Sequence, residues 1–148
     1  MCGIAGIVCI NNTKVVENQL KSMLNMMNHR GPDSEGFFIN SNLGLAHKRL
    51  SIIDPSGHGS QPFYYLDDFV LVFNGAIYNY IEIAEELQTL GHDIKTKSDT
   101  EILLLSYISW GEECVHKFTG MWAFAFSILL IASIGFISEA KINLSSFK

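Results

Sequence analysis

Apolar residues along the chain form short runs of strand length that are separated by polar turn residues. Four such runs cover residues 3–10, 36–40, 43–47 and 69–73. The first and the last are rich in Ile, Val and Phe and predict buried strands, and the other two have the pattern of strands. Ser41-Asn42 separates the second run from the third and predicts a hairpin. The fourth run is expected to stop at Asn74-Gly75, because this dipeptide is typical of a hairpin turn.

Three other segments carry apolar residues at helical spacing, and they cover residues 16–28, 80–90 and 102–108. The second and third begin with patterns typical of a capping box, Asn79 with Glu82 and Ser98 with Glu101. Gly91 is expected to end the second helix. The pattern therefore predicts one domain in which strands and helices are mixed.

The composition fits a single globular domain with a core. The chain has 148 residues, which suits one domain, and 48% of them are hydrophobic, which is enough for a core. A net charge of −5 leaves no basic patch, so nucleic acid is not an expected partner. Cys2, Cys9 and Cys114 lack the C-x-x-C spacing of a zinc site, so no metal is expected. The odd cysteine count and the lack of a signal-peptide pattern predict a cytoplasmic protein.

Cys2 directly follows the initiator methionine. Removal of Met1 would place a thiol and a free α-amine on one residue. The reference pKa of such an amine is about 7.7–8.0, so much of it is neutral near neutral pH. A neutral amine can accept the thiol proton, and the residue then holds both a nucleophile and its base. The alternative is that Cys2 is simply a small apolar residue, and position alone favours that alternative.

Three further sites along the chain each allow a chemical and a structural interpretation. Arg49 is either a surface cation or a fork that binds a carboxylate. Asn74 and Gly75 are either a hairpin turn or two hydrogen-bond donors to one oxyanion. Asp99 is either a first-turn acid favoured by the helix dipole or the partner of a ligand ammonium group. Spacing also leaves open whether the loop at residues 29–33 is an ordinary charged loop or borders a site.

The chain resembles class II glutamine amidotransferases, which are N-terminal nucleophile hydrolases, in six motifs that keep the order and spacing of that family. They are MCGIAGI (1–7), HRGPDSEG (29–36), AHKRLSIID (46–54), FNGAIYNY (73–80), SDTEILL (98–104) and WGEECVHKFTGMWAFAF (110–126). Within the family the chain is most similar to the glutaminase domain of asparagine synthetases. The resemblance covers residues 1–126 and implies an α+β fold, a four-layer α/β/β/α sandwich that is incomplete at its C-terminus.

The resemblance implies hydrolysis of L-glutamine to glutamate and ammonia through a thioester on Cys2, with the Cys2 α-amine as the base. It assigns Asn74 and the Gly75 N–H to the oxyanion hole. Arg49 and Asp99 are assigned to the α-carboxylate and the α-ammonium of glutamine. The other implied substrate-binding residues line the pocket, and they are Leu50, Ile52, Ile53 and Ala76. No cofactor is expected on this chain, because ATP and Mg²⁺ would belong to a separate synthetase domain or subunit that uses the ammonia to make asparagine.

The chain departs from the family pattern at two places. Ala76 stands where the family has a glutamate that helps to bind the amino end of glutamine, so a weaker site is expected. Residues 127–148 form an apolar tail without the charged turn and arginine-containing strand that follow in the family, so poor strand pairing is expected there. The alternatives to an active glutaminase are a module that binds glutamine or a partner without turnover, and an inactive truncated gene product.

Residues 118–138 carry no charge. A membrane-spanning helix needs about 20 apolar residues, so this segment is long enough to cross a bilayer. Residues 120–126, however, resemble a core strand of the family, and they cannot lie in a sheet and in a membrane helix together. The remaining residues 127–138 are about a dozen, which is too few to span a bilayer. A soluble domain is therefore expected, and a membrane anchor is the alternative.

Overall fold

A computed structural model of the chain describes residues 2–11, 13–50, 60–66, 68–96 and 98–128, and the backbone of a strand at residues 133–141. Its elements are β1 (Gly3–Val8), α1 (Glu17–Met26), β2 (Ser34–Asn40), β3 (Leu43–Arg49), β4 (Phe63–Tyr65), β5 (Phe69–Ile77), α2 (Tyr80–Thr89), α3 (Asp99–Trp110), a 3₁₀ helix (Gly111–Lys117), β6 (Gly120–Ile128) and β7 (Ser133–Lys141). The strands form two sheets, in the orders β1-β3-β2 and β4-β5-β6-β7.

The chain divides into two compact units. The first unit contains residues 1–74 and 124–137, and the second contains residues 75–123 and 138–148. The first unit therefore includes β1, α1, β2, β3 and β4, and the second includes α2, α3 and the 3₁₀ helix.

The three-stranded sheet of the first unit contains the predicted hairpin. β2 pairs antiparallel with β3, and Asn40 lies opposite Leu43, so Ser41-Asn42 closes the turn as predicted. β1 pairs antiparallel with the other side of β3, with Gly3 opposite Lys48. This register places the start of β1 beside the end of β3.

Both faces of β3 are covered in the first unit. Leu43 and Leu45 pack on one face with Val70, Val72 and Ala125. On the opposite face, Ala46 packs with the α1 residues that recur at helical spacing, Leu20 and Leu24. Successive residues of a strand point to opposite faces, so a strand covered on both sides has a continuous buried run. Residues 43–48 are accordingly all buried.

The helices of the second unit end and begin close to the predicted residues, but neither predicted capping box is complete. Gly91 follows α2 with φ +92°, as a helix-ending glycine does. The side chain of Asn79 makes no cap hydrogen bond, because it binds the backbone of Lys117 and Thr119 instead. The predicted capping bond of Asn79 is therefore wrong. In the second capping box, the predicted return bond of Glu101 is also wrong, because Glu101 binds the backbone before the helix, as described below.

The apolar segment after residue 118 forms two strands. β6 is a core strand, as expected from the resemblance, and Trp122, Phe124 and Phe126 are buried. β7 lies next to β6 in the sheet order, so the expectation of poor pairing for the tail is wrong at the level of the backbone. Pairing needs only extended backbone with free N–H and C=O groups, and the charged turn of the family is not a requirement. In the part of the chain that the structure describes, no helix is long and apolar enough to cross a membrane.

Candidate active site

Cys2 lies immediately before β1 and is half-buried. Its sulfur is the acceptor of a hydrogen bond from the backbone N–H of Leu50, with an N–Sγ distance of 3.4 Å. The Leu50 carbonyl lies 3.9 Å from the same sulfur and can accept the thiol proton. The β1–β3 register explains the contact, because Gly3 faces Lys48 and the chain continues from there to Leu50. The structure thus brings the predicted nucleophile to one of the residues predicted to line the pocket.

Arg30 holds the backbone of the nucleophile residue. Its Nε donates to the Cys2 carbonyl at 3.0 Å, and its side chain is half-buried. Gly31, the next residue, packs against the end of β3, since a Cβ at that position would come within 2.5 Å of the Lys48 carbonyl carbon. The loop at residues 29–33 therefore borders Cys2. Arg30 had no predicted role of its own, and the cluster His-Arg-Gly-Pro is the feature of the sequence that pointed to this loop.

Arg49 is the last residue of β3 and is half-buried. Its backbone carbonyl accepts from the Asp33 N–H at 3.1 Å, which ties the 29–33 loop to the end of the strand. Its positive charge acts together with burial, the larger cause, to lower the pKa of His47 to about 4. Arg49 is thus close to Leu50 along the chain, while its assignment to the glutamine carboxylate stays a prediction.

Asn74 and Gly75 do not form a hairpin. β5 continues through both residues to Ile77, so the expectation that the strand stops there is wrong. Gly75 has φ +155°, and a Cβ on it would overlap the Met121 carbonyl oxygen. The glycine is required by this close approach of two backbones. The hairpin alternative is therefore excluded, and both residues remain candidates for oxyanion donors.

Asn74 belongs to the first unit and is half-buried, and Gly75 opens the second unit and is exposed. The side-chain Oδ1 of Asn74 is buried and has no hydrogen-bond partner among the described residues. A buried carbonyl oxygen without a partner is costly. This oxygen is an acceptor, so it does not bear on donation from the Asn74 amide nitrogen to an oxyanion, which stays a prediction.

Asp99 begins α3 in the second unit. Ser98 caps the helix, since its side chain accepts from the Thr100 N–H at 3.2 Å, and this half of the predicted capping box is confirmed. Asp99 Oδ2 accepts from the Ile77 N–H at 3.2 Å, which ties the carboxylate to the end of β5, one residue from Ala76. Burial raises the pKa of Asp99, and hydrogen bonds from backbone N–H groups oppose that rise. The carboxylate is thus held in place at a cost that a ligand cation could offset.

Glu101 positions the segment that leads to Asp99. It is 1% exposed, and its two oxygens accept from the Lys95 N–H, the Thr96 N–H and the Thr96 hydroxyl at 2.6–3.1 Å. The predicted return bond to the Ser98 backbone is not made, because the Ser98 N–H donates to the Thr96 hydroxyl.

The remaining predicted site residues, Ile52 and Ile53, lie outside the described residues, as does Met1. No group of three or more metal-ligating side chains occurs in the described part of the chain. The predicted residues that the structure does describe fall into two sets. Cys2, Arg49, Leu50 and Asn74 lie in the first unit, and Gly75, Ala76 and Asp99 lie in the second.

The comparisons with known proteins agree with the motifs. The family described as glutamine amidotransferase domain matches residues 1–128. Asparagine synthetase [glutamine-hydrolyzing] 1 of Bacillus subtilis is 44% identical over 128 residues, which cover 84% of this chain and 20% of that protein. A putative asparagine synthetase [glutamine-hydrolyzing] 2 of Methanocaldococcus jannaschii is 40% identical, and the match covers 84% of this chain and 27% of that protein. The chain thus spans only about a fifth to a quarter of the length of these curated relatives.

A solved structure confirms the predicted fold class. Glutamine phosphoribosylpyrophosphate amidotransferase from Bacillus subtilis, complexed with ADP and GMP, matches 86% of this chain and 35% of its own with a TM-score of 0.68 at 16% identity. At that identity the likeness shows the fold alone, and the mixture of helices with two sheets agrees with the predicted α+β class.

Proposed function

Because this chain belongs to the glutamine amidotransferase domain family, we propose that it hydrolyses L-glutamine to glutamate and ammonia at Cys2. The observation that supports this most directly is the setting of Cys2. Its sulfur receives the Leu50 N–H, and its carbonyl receives the Arg30 side chain. The half-buried thiol is thus held at the start of β1, beside a residue that the resemblance assigns to the pocket.

In the proposed reaction, removal of Met1 frees the α-amine of Cys2. The neutral amine takes the thiol proton, and the thiolate attacks the γ-carbonyl carbon of glutamine. The resulting oxyanion is stabilised by the Asn74 side-chain amide and the Gly75 N–H. The amide nitrogen leaves as ammonia with the proton from the amine, and a glutamyl thioester remains. Water then hydrolyses the thioester, which gives glutamate and restores the thiol.

Recognition of free glutamine requires one cation and one anion at a fixed separation. Arg49 is assigned to the α-carboxylate because a guanidinium fits a carboxylate with two parallel hydrogen bonds. Asp99 is assigned to the α-ammonium, since its carboxylate is already held by the Ile77 N–H. Ala76 supplies no charge, so Asp99 carries this recognition without the second acid of the family.

The relatives are named glutamine-hydrolysing asparagine synthetases, and this suggests where the ammonia goes. We place the chain in the cytoplasm as the glutaminase part of asparagine synthesis from aspartate, glutamine and ATP. A synthetase domain or separate subunit would bind ATP and Mg²⁺ and use the ammonia, and no cofactor is assigned to the chain itself.

The test is a glutaminase assay on the purified 148-residue chain, with intact-mass analysis of the same sample. Protein that has lost Met1 is expected to release glutamate and ammonia in equal amounts, and Cys2→Ala is expected to release neither. Full activity in protein that retains Met1 would contradict the α-amine as the base. Glutamine binding by calorimetry without turnover would instead favour the non-catalytic binding module.

A further inference from the structure

β5 extends beyond its partner β4 in the first unit. The pairing of the two strands ends with Phe63 opposite Leu71, and Phe73 lies two residues further along β5. Residues two apart in a strand direct their backbone groups to the same side. The N–H and C=O of Phe73 therefore face the side on which β4 has ended, and both need other partners because Phe73 is buried.

Beyond the end of β4, two side chains bind the Phe73 backbone groups that a longer β4 would have paired. Gln61 Oε1 accepts from the Phe73 N–H at 2.6 Å. The pKa of His47 responds to a hydrogen bond with the Phe73 backbone, and this bond favours the protonated ring, which assigns the donor to His47 and the acceptor to the Phe73 carbonyl. Both backbone groups of Phe73 are thus held by side chains, one from β3 and one from the segment before β4.

Burial decides which ring nitrogen of His47 is assigned as the donor. His47 is 1% exposed, and its Nε2 has no hydrogen-bond partner among the described residues, which assigns the bond with Phe73 to Nδ1–H. Burial, assisted by the Arg49 charge, keeps the pKa of His47 at about 4, and the ring is neutral at neutral pH. A neutral ring carries one N–H, and here it is committed to Phe73.

We propose that His47 and Gln61 are positioning residues for Asn74, which follows Phe73 directly. This rests on the proposed function, in which the Asn74 amide donates to the oxyanion. Such a donor acts only when it is fixed where the charge develops, and small displacements lower the rate. By fixing the Phe73 peptide, the two side chains fix the backbone from which the Asn74 side chain extends.

The experiment compares variants that remove each bond with variants that preserve it, all in the full chain. His47→Leu and Gln61→Leu remove the bonds. His47→Asn keeps a donor near the Nδ1 position, and Gln61→Glu keeps an acceptor for the Phe73 N–H. Ser106→Ala is the control, because it removes another buried bond, from Ser106 Oγ to the Ile102 carbonyl at 2.7 Å in α3. The readouts are kcat and KM for glutamine and the NMR cross-peaks of the Asn74 side-chain amide.

Both leucine variants are expected to lower kcat by about tenfold or more, because losing an oxyanion donor outright costs about 10²–10³. KM is expected to stay within about threefold, since the proposed contacts to the glutamine charges are kept. The Asn74 amide cross-peaks should shift or broaden in these variants. His47→Asn, Gln61→Glu and Ser106→Ala should match the wild type in kcat and in the Asn74 cross-peaks.

Leucine variants with unchanged kcat and unchanged Asn74 cross-peaks would overturn the inference while leaving the proposed function intact. An equal loss of kcat in Ser106→Ala would also overturn it, because the effect would then be general destabilisation. If the wild-type chain hydrolyses no glutamine, the proposed function fails, and the Asn74 cross-peaks alone decide whether the two residues position it. Gln61 is half-buried, so Gln61→Leu supplies the result should His47→Leu fail to fold.

Discussion

His47 and Asp99 are the two residues near the candidate site whose surroundings most clearly oppose their charged forms. Burial is the main cause in both, and it lowers the pKa of His47 and raises that of Asp99. The His47 N–H is committed to a backbone carbonyl inside the protein, so its neutrality serves the fold. Among the described residues, the Asp99 carboxylate accepts from backbone N–H groups and meets no cation, so its charge is available to a ligand. The same physical effect therefore marks a positioning residue in one case and a binding residue in the other.

Asp99→Asn is predicted to stabilise the protein and weaken glutamine binding. Burial raises the pKa of Asp99, so its contribution to stability is present at low pH and is lost as pH rises through the folded-state pKa. Removing the charge at pH 7 should therefore raise Tm, while the asparagine oxygen still accepts from the Ile77 N–H. KM should rise about tenfold or more, because hydrogen bonds to charged groups contribute about 1.5–3 kcal/mol.

Thermal melts and glutaminase kinetics test this together. Asp93→Asn, at an exposed position of the same unit, is the matched control and should change neither quantity. A fall in Tm with KM unchanged would show that the Asp99 charge has a structural role and no role in binding.

The stability of the chain is predicted to fall between pH 6.5 and pH 4 because of His47. The pKa of His47 is lowered in the fold from 6.5 to about 4. Between these two pH values His47 is therefore protonated in the unfolded chain and neutral in the folded chain. The contribution is complete above pH 6.5 and is lost on acidification, and it amounts to about 3 kcal/mol.

Urea unfolding of wild type and His47→Asn at pH 7, 5.5 and 4 measures this contribution. Other groups titrate in both proteins, so the difference between the two isolates His47. The wild type should lose about 3 kcal/mol more than the variant across the window. Parallel pH profiles for both proteins would be incompatible with a buried neutral His47.

At the same scale, sequence reasoning found residues whose role depends on their chemical type and missed those whose role depends on where a distant strand ends. Cys2 and Leu50 were both predicted site residues, and the structure brings them into contact. His47 and Gln61 could not be found, because nothing in the local pattern shows that β4 ends opposite Leu71. Arg30 was missed for a related reason, since its contact with Cys2 joins residues 28 positions apart.

At the scale of elements, strand and helix positions followed from hydrophobic spacing, while the polar residues at their ends did not. The Asn-Gly pair has the composition of a hairpin turn, yet β5 runs through it because Gly75 meets the backbone of β6. Asn79 and Glu101 are at capping positions, yet each side chain binds a segment outside its own helix. In each case a contact with a residue outside the local pattern determines the structure, and the local preference of the residue type does not.

Glu101→Ala is predicted to destabilise the chain by about 1–3 kcal/mol, because hydrogen bonds to a charged group contribute about 1.5–3 kcal/mol each and the two N–H groups that lose Glu101 are partly exposed, so water replaces part of the loss. The two are the N–H groups of Lys95 and Thr96. The loop that leads into α3 would lose its anchor, and glutamine affinity should fall with it, since Asp99 lies at the start of the helix.

Urea unfolding with Glu85→Ala as control tests the anchor. Glu85 is an exposed acid on α2, and its replacement should change the free energy of unfolding by less than about 0.5 kcal/mol. Equal effects in the two variants would show that the Glu101 hydrogen bonds contribute nothing to stability.

At the scale of the whole molecule, the sequence predicted the class of fold and not the arrangement of its strands. The order β1-β3-β2 places the third strand in the middle of its sheet, and the hairpin signal alone could not locate β1. For the tail, the sequence pattern predicted too little structure. Residues 133–141 lack the polar features of the family, but they form β7 beside β6.

The chain is predicted to leave the membrane fraction during an alkaline carbonate wash, despite the uncharged segment at residues 118–138. In the described part of that segment, Trp122, Phe124 and Phe126 are buried side chains of β6, and none of this backbone is helical. A membrane helix would need about 20 consecutive residues, so it would have to unfold β6 and expose those three aromatic side chains. Burying a large aromatic or aliphatic side chain contributes about 1.5–3 kcal/mol, and the sheet would lose this three times. Trp122→Asp, which places a charge in β6, should reduce the yield of folded protein in any fraction. Full-length chain that stays in the pellet after the wash, and that Trp122→Asp releases, would show that the segment is a membrane anchor.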